Sequence, residues 1–242
     1  MIISTAAIVL KSIDFQESSK IVTLLTPEHG KIAVMVRGCR KPKSKFAGFF
    51  DTAAVLDVVL YLKPSRSVQN ISEVSYRQKN WNIPKDFAKM AVAMGTMEML
   101  DQLVHDNETS ADFFSFSERM LLWLNDTEDD VTALFPYILI RLADINGIGI
   151  QYEARDDTGP FFLNIEEGVV ASEPGLGLSF KLTDFQHKFV KKALIARNST
   201  VLRNPFDKSE LKLLIHHLDV YFNHHIDGLR QRQSDSIFDQ IL

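Results

Sequence analysis

The chain has 242 residues, of which 45% are hydrophobic, and a formal net charge of −4. That is enough to fill one large core or two modest ones, and too apolar for wholesale disorder. No apolar run reaches the roughly 18 residues of a membrane span, and a lone cysteine, Cys39, excludes both an internal disulfide and a four-cysteine zinc site.

The charge is divided unevenly. Residues 1–80 hold 12 Lys and Arg against 6 Asp and Glu, and the remainder holds 15 against 25. A basic front and an acidic back suggest two domains with different partners. The opening "MIISTAAIVLKSIDF" lacks a basic head before its apolar stretch, so it is a poor secretory signal and the expected location is the cytoplasm.

The first 80 residues read as five strands. "STAAIVLKSIDF" is the first. "KIVTLL" and "KIAVMVRG" flank "TPEHG", which predicts a hairpin with a loop of four or five residues. "TAAVLDVVLYL" is the fourth. In "VQNISEVSYRQ", simple alternation puts Val68, Asn70, Ser72 and Val74 on one face and Gln69, Ile71, Glu73 and Ser75 on the other. Five strands in this length fit a small barrel or a sandwich, and an OB-type barrel has that strand count and binds nucleic acid on one face.

"NWNIPKD" around Pro84 marks a boundary, after which the period becomes helical over residues 81–242. Phe87, Met90, Met94, Met97, Leu100 and Val104 recur at three- and four-residue steps. Ser110 is the expected N-cap of the next helix, and "DVTALFPYILIRLADING" reads as a third, closed by Asn146-Gly147. A glycine-rich piece at about 149–180 reads as a small β insertion or irregular excursion. Thr183-x-x-Gln186 and Asp207-x-x-Glu210 resemble capping boxes, and Leu211, Ile215, Leu218 and Phe222 form one stripe of the last long helix.

Within "VRGCRKPKSKFAGFF", the cations Arg37, Arg40, Lys41, Lys43 and Lys45 fall in nine residues. Gly38 and Pro42 disfavour regular pairing there, so the stretch is expected to be a loop that meets phosphates, with a strongly salt-dependent affinity. Lys20, Lys31 and Arg66 are candidates to extend that DNA-binding surface. Phe46, Phe49 and Phe50 are open to two readings, stacking on bases or, more in keeping with their size, burial in the core. Met90, Met94, Met97 and Met99 suit an adaptable groove or, more often, a helix core.

Other chemistry is poorly supported. His216, His217, His224 and His225 lack metal-ligand spacing, and no HExxH, GxxxxGK[ST] or GxSxG occurs. "GLGLSF" holds only a lone G-x-G. The pairs Asp129-Asp130, Asp156-Asp157 and Glu166-Glu167 sit in polar loops and read as solvent-facing charge. No catalytic residue, metal or cofactor is expected.

The ordered set Leu10-Lys11, Glu17-Ser18, Thr26-x-x-x-Gly30, Arg37-Gly38, the basic residues and Lys43-Ser44 with a following aromatic resembles the N-terminal domain of the RecO family of bacterial DNA repair proteins. The likeness is dense over about residues 4–62 and looser through "LADINGIGI" and "LLIHHLDVYFNHHIDG". The resemblance implies an α+β protein, with an OB-fold barrel at 1–80 and a helical domain at 81–242 carrying the insertion. It also implies a non-enzymatic recombination mediator that binds single- and double-stranded DNA, anneals strands and helps load RecA, with RecR and the single-stranded-DNA-binding protein as partners and the nucleoid as its place of work. Many relatives carry a four-cysteine zinc module in the insertion; here that segment has no cysteine, so no zinc is expected, and Phe161, Phe162, Leu163, Val169 and Val170 are candidates to hold it instead. Recognition of an acidic, apolar-ended partner tail would need a cation beside an apolar pocket, for which Arg141, Lys191, Arg197 and Arg203 are candidates. The competing readings are an RNA-binding OB-fold protein, which predicts tighter RNA than DNA binding, and a metal-dependent phosphodiesterase, which predicts cleavage.

Overall fold

β-Branched and aliphatic residues at alternate positions build five strands: β1 (Ile2–Phe15), β2 (Ser19–Thr26), β3 (Gly30–Val36), β4 (Val55–Tyr61) and β5 (Val68–Gln78). They close into a barrel in the order β1-β2-β3-β5-β4, with β3 and β5 parallel and the other pairs antiparallel. Ala7, Val9, Val22, Leu24, Val34, Leu56 and Leu60 are fully buried inside it. This is the OB-type barrel expected of the first 80 residues. The computed structural model describes residues 1–106, 108–154, 158–196 and 207–241.

Two details of the barrel differ from the simple reading. The β2–β3 hairpin closes over three residues, since Thr26 already pairs with Gly30. Thr26 Oγ1 donates to the Gly30 carbonyl at 3.1 Å and accepts the His29 N–H at 3.2 Å, which tightens the turn. Gly30 has φ +59, and a Cβ there would lie 2.5 Å from the carbonyl oxygens of both His105 and Glu108. Only glycine allows both the left-handed backbone and that approach. In β5, the alternation breaks at Ser72: Leu60 pairs with Ile71 but Val59 with Glu73. This bulge switches faces, so Ile71 before it and Val74 and Tyr76 after it all pack against the core.

Compactness divides the chain at Thr127/Glu128, later than the change of period at residue 80. In the first unit the barrel is joined by a 3-10 turn (Ile83–Lys85) and two helices, α1 (Phe87–Leu103) and α2 (Ala111–Asp126). The N-cap of α1 is Asp86, whose carboxylate accepts the Lys89 N–H. α1 is buried on most sides: Met97 and Met99 are core, Met90 and Met94 half-buried, and Phe87 exposed. Ser110 sits at the N-cap of α2 without capping it. Its hydroxyl instead donates to the Thr26 carbonyl at 2.7 Å, tying α2 to the hairpin.

The second unit holds α3 (Leu134–Ile145), a four-stranded sheet, α4 (Asp184–Ile195), α5 (Lys208–His225) and α6 (Asp235–Ile241). The sheet is the expected insertion: β6 (Gln151–Tyr152), β7 (Phe161–Asn164), β8 (Val169–Ala171) and β9 (Ser179–Leu182), in the order β6-β8-β7-β9. Phe161, Leu163 and Val170 are buried, while Phe162 and Val169 are half-buried. Thr183 and Gln186 form a complete capping box on α4. Asp207 caps α5 through the N–H groups of Ser209 and Glu210, whereas Glu210 turns its carboxylate to the Thr183 hydroxyl at 2.7 Å. Leu211, Ile215, Leu218 and Phe222 are all buried.

His217 is buried on α5, its ring stacked on Phe180 with centroids 4.1 Å apart, and its Nδ1 meets no hydrogen-bond partner among the described residues. Burial, reinforced by the neighbouring His216, pushes its pKa down from 6.5 to about 4. The folded state therefore holds the neutral ring, while the unfolded chain takes up a proton below about pH 6.5. The stability this contributes is complete above that pH and is lost progressively as pH falls to about 4, by about 3 kcal/mol. Urea unfolding of the full chain across this window is expected to show that slope, and His217→Phe to flatten it. Equal slopes for both proteins would rule His217 out as the cause.

Candidate nucleic-acid interface

Residues 37–54 connect β3 to β4 as a series of turns, with their apolar and charged side chains sorted to opposite sides. Cys39 and Phe50 are buried in the barrel core, and Phe46 and Phe49 pack against it. Phe49 also stacks on Tyr76 of β5, centroids 4.6 Å apart, and the Tyr76 hydroxyl donates to the Gly48 carbonyl at 2.7 Å. The phenylalanines therefore anchor the loop and do not form an open stacking platform. Their size explains this, since leaving three such side chains in water forfeits about 2 kcal/mol each.

Against that apolar underside, Arg37, Arg40, Lys41, Lys43 and Lys45 are all exposed. Gly38, at φ +68, lets the chain turn immediately after β3. The Arg40 N–H donates to the Ser18 carbonyl at 3.0 Å, and the Ser44 hydroxyl accepts the Phe46 N–H at 3.2 Å, so the backbone is tied at both ends of the cationic run. Two of the five charges already have partners. The Arg40 guanidinium lies 3.3 Å from the Asp14 carboxylate, and the Lys45 ammonium donates to the Ser72 carbonyl at 2.9 Å while lying over the Phe46 ring. Arg37 and Lys41 line an open cleft of about 590 Å³ with Phe15, Gln16, Ser18 and Met35. An anion approaching this end of the barrel meets several cations at once, which raises the local concentration of a polyanion.

The remaining candidates are dispersed. Lys20 belongs to the same end of the barrel, paired in register with Val36, the residue before Arg37. Lys31 is the second residue of β3, about 15–20 Å from Arg37 along the strand. Its ammonium donates to the Asp101 carbonyl at 2.5 Å and lies 3.7 Å from that residue's carboxylate, so it is a tether to α1. Arg66 is exposed on the β4–β5 turn. Because β5 runs parallel to β3 and enters beside Ala33, that turn also lies toward the end away from Arg37.

In the second unit, Arg141 pairs with Asp144 at 3.2 Å and lines a cleft of about 230 Å³ with Ile140, Ile150, Tyr152 and Leu194. The Lys191 ammonium lies 5.2 Å above the ring of Tyr152, which also lines the Arg141 cleft. Arg197 and Arg203 lie outside the described residues, as do Asp156 and Asp157. Asp129, Asp130, Glu166 and Glu167 are exposed. Asp130 accepts the Thr132 N–H and so serves a turn. Trp81, 58% exposed directly after the barrel, is a surface feature that periodicity did not single out, and it lies near Met90 and Met94, the two half-exposed methionines of the expected stripe. The signal available in the sequence was an aromatic inside the polar run "RQKNWN".

Comparison with known proteins places these features in context. The family model "Recombination protein O N terminal" matches residues 1–79, and "Recombination protein O C terminal" matches residues 84–160. The chain is 36% identical over 174 residues to the DNA repair protein RecO of Salinibacter ruber, covering 72% of this chain and 66% of that protein. It is 34% identical over 147 residues to the protein of the same name from Chlorobium limicola, covering 61% and 56%. Against the one from Chloroherpeton thalassium, the identity is 28% over 260 residues, spanning 100% of both chains. The two more identical matches thus extend over less than two thirds of the relatives' own length.

Proposed function

This chain belongs to the recombination protein O family, and from that premise we propose that it works in DNA repair as a non-enzymatic recombination mediator. It binds single- and double-stranded DNA through the β3–β4 loop and anneals complementary strands. The observation that carries this reading is the anchoring of five exposed cations on one end of an OB-type barrel by Cys39, Phe46, Phe49 and Phe50. Annealing asks for little more from a protein. Cations lower the repulsion between two polyanions and concentrate them, and base pairing then supplies specificity.

In this reading the first unit holds DNA, and the cleft of the second lined by Arg141 and Tyr152, with Lys191 over the Tyr152 ring, receives an acidic, apolar-ended tail of the single-stranded-DNA-binding protein. RecR is the further partner, and the outcome is RecA loaded onto the exposed strand, in the cytoplasm at the nucleoid. Ile150, Tyr152 and Leu194 would meet the apolar end of such a tail and Arg141 its charge, in exchange for the Asp144 carboxylate that lines the same cleft and now pairs with it.

The test is annealing of fluorescently paired complementary strands, bare and coated with single-stranded-DNA-binding protein. Acceleration that fades as salt rises is the expected result. No acceleration at any salt would remove the annealing role, and tighter binding to RNA than to DNA of the same sequence would favour 2′-hydroxyl recognition instead.

A further inference from the structure

The second half of the basic loop forms one wall of an apolar cleft of about 330 Å³, and the end of β5 and α1 form the others. Tyr76 and Trp81 meet edge to face there, centroids 6.5 Å apart, with Met90 and Met94 of α1 also lining the cleft and Asp51 and Thr52 exposed at the loop side. Phe49, stacked behind Tyr76, and the Tyr76–Gly48 hydrogen bond fix the aromatic wall in place. The Lys79 ammonium lies 5.0 Å from the centre of the Trp81 ring. Each of these residues belongs to the first unit.

We infer that this cleft receives an unstacked base of single-stranded DNA whose phosphates lie on the basic loop. The inference rests on the DNA-binding reading above and adds a base site to it. Three observations select the occupant. First, the cleft continues the cationic surface: Lys45 precedes Gly48, the first residue lining the cleft, by three positions, at most about 10 Å of chain. Second, the walls are aromatic rings and thioethers, which offer flat, polarizable surfaces to a base of any sequence. Third, Asp51 puts a carboxylate at the rim. That charge opposes an acidic peptide or a phosphate entering the cleft, but an uncharged base passes it and can donate an N–H to it, thymine through N3 and the other bases through an exocyclic amine.

The test uses the full chain with Trp123→Phe, which leaves Trp81 as the sole tryptophan. Its emission is followed on titration with oligothymidylate, with an abasic strand of equal length and with an acidic peptide. Oligothymidylate is expected to quench Trp81, and the abasic strand to bind without quenching. In otherwise native protein, Trp81→Ala is expected to weaken oligothymidylate binding about tenfold or more while leaving the abasic strand and the salt slope unchanged. Trp81→Phe, which keeps an aromatic face, is expected to recover most of the loss. Equal quenching by both strands, or no effect of Trp81→Ala, overturns the base site while leaving the loop's phosphate binding intact. Quenching by the peptide alone reassigns the cleft to a protein ligand. If neither strand binds at any salt, the DNA-binding reading falls and the base site with it.

Discussion

Replacing Arg37, Arg40, Lys41, Lys43 and Lys45 together by alanine is expected to weaken single-stranded DNA binding on the order of 100-fold at low salt. It should also flatten the plot of log affinity against log salt by about 3. The slope is the more diagnostic quantity. Each phosphate neutralised on a single strand contributes about 0.7 to it, so five free cations set a ceiling near 3.5. Arg40 and Lys45 should contribute less than a full share, because Asp14 and the Ser72 carbonyl already engage them. Folding should survive the change. All five side chains are exposed, and the residues that hold the loop, Cys39 and Phe50 in the core with Phe46 and Phe49 against it, are untouched.

Lys31→Ala provides the contrast. Its ammonium is held by Asp101, so its loss should lower stability slightly and leave the salt slope alone. Fluorescence anisotropy at several salt concentrations separates these outcomes. Unchanged affinity and slope in the five-alanine variant would move the DNA surface off this loop.

The sequence carried the barrel well, because strands half-buried in a small core must alternate or run apolar, and the turn residues between them are conspicuous. It carried α5 equally well, since Leu211, Ile215, Leu218 and Phe222 face a single side. It failed where tertiary geometry overrides local pattern. The bulge at Ser72 inverts the faces of β5 and cannot be seen in "VQNISEVSYRQ", where every residue fits a strand. Ser110 has the residue type and position of a cap, yet the nearby hairpin carbonyl of Thr26 takes its hydroxyl.

The basic loop was half legible. Five cations in nine residues announce a polyanion site in any fold, but the role of the phenylalanines depends on whether the barrel end is open, which only packing decides. Trp81 escaped notice because one aromatic in a polar run has no period. Its meaning comes from Tyr76 and Met94, which the fold brings beside it. Arg232 escaped for a related reason: in "RQRQSDS" it reads as surface charge, and its principal partner, Asp219, lies 13 residues earlier on another element.

That arginine carries the largest stability effect expected of a single substitution here. Arg232 is 7% exposed, between α5 and α6. Two of its nitrogens donate to the two carboxylate oxygens of Asp219, at 2.5 and 2.7 Å, and its Nε donates to Asp235 at 2.9 Å. The guanidinium also lies 5.1 Å from the centre of the Phe135 ring, on which Phe238 of α6 stacks with centroids 4.3 Å apart. One cation thus fastens α5, the start of α6 and α3. Arg232→Met keeps the volume and removes the charge, leaving two carboxylates without their counterion. The expected cost is about 3–5 kcal/mol, the usual result of breaking a buried pair from one side.

Because most of that cost belongs to the stranded anions, Asp219→Leu added to Arg232→Met should restore part of it. Chemical unfolding of the single and double variants measures both quantities. A loss below about 1 kcal/mol for Arg232→Met would mean that water reaches the carboxylates and the pair behaves as a surface bridge. A double variant less stable than the single one would mean that Asp219 supports α5 through contacts other than the arginine.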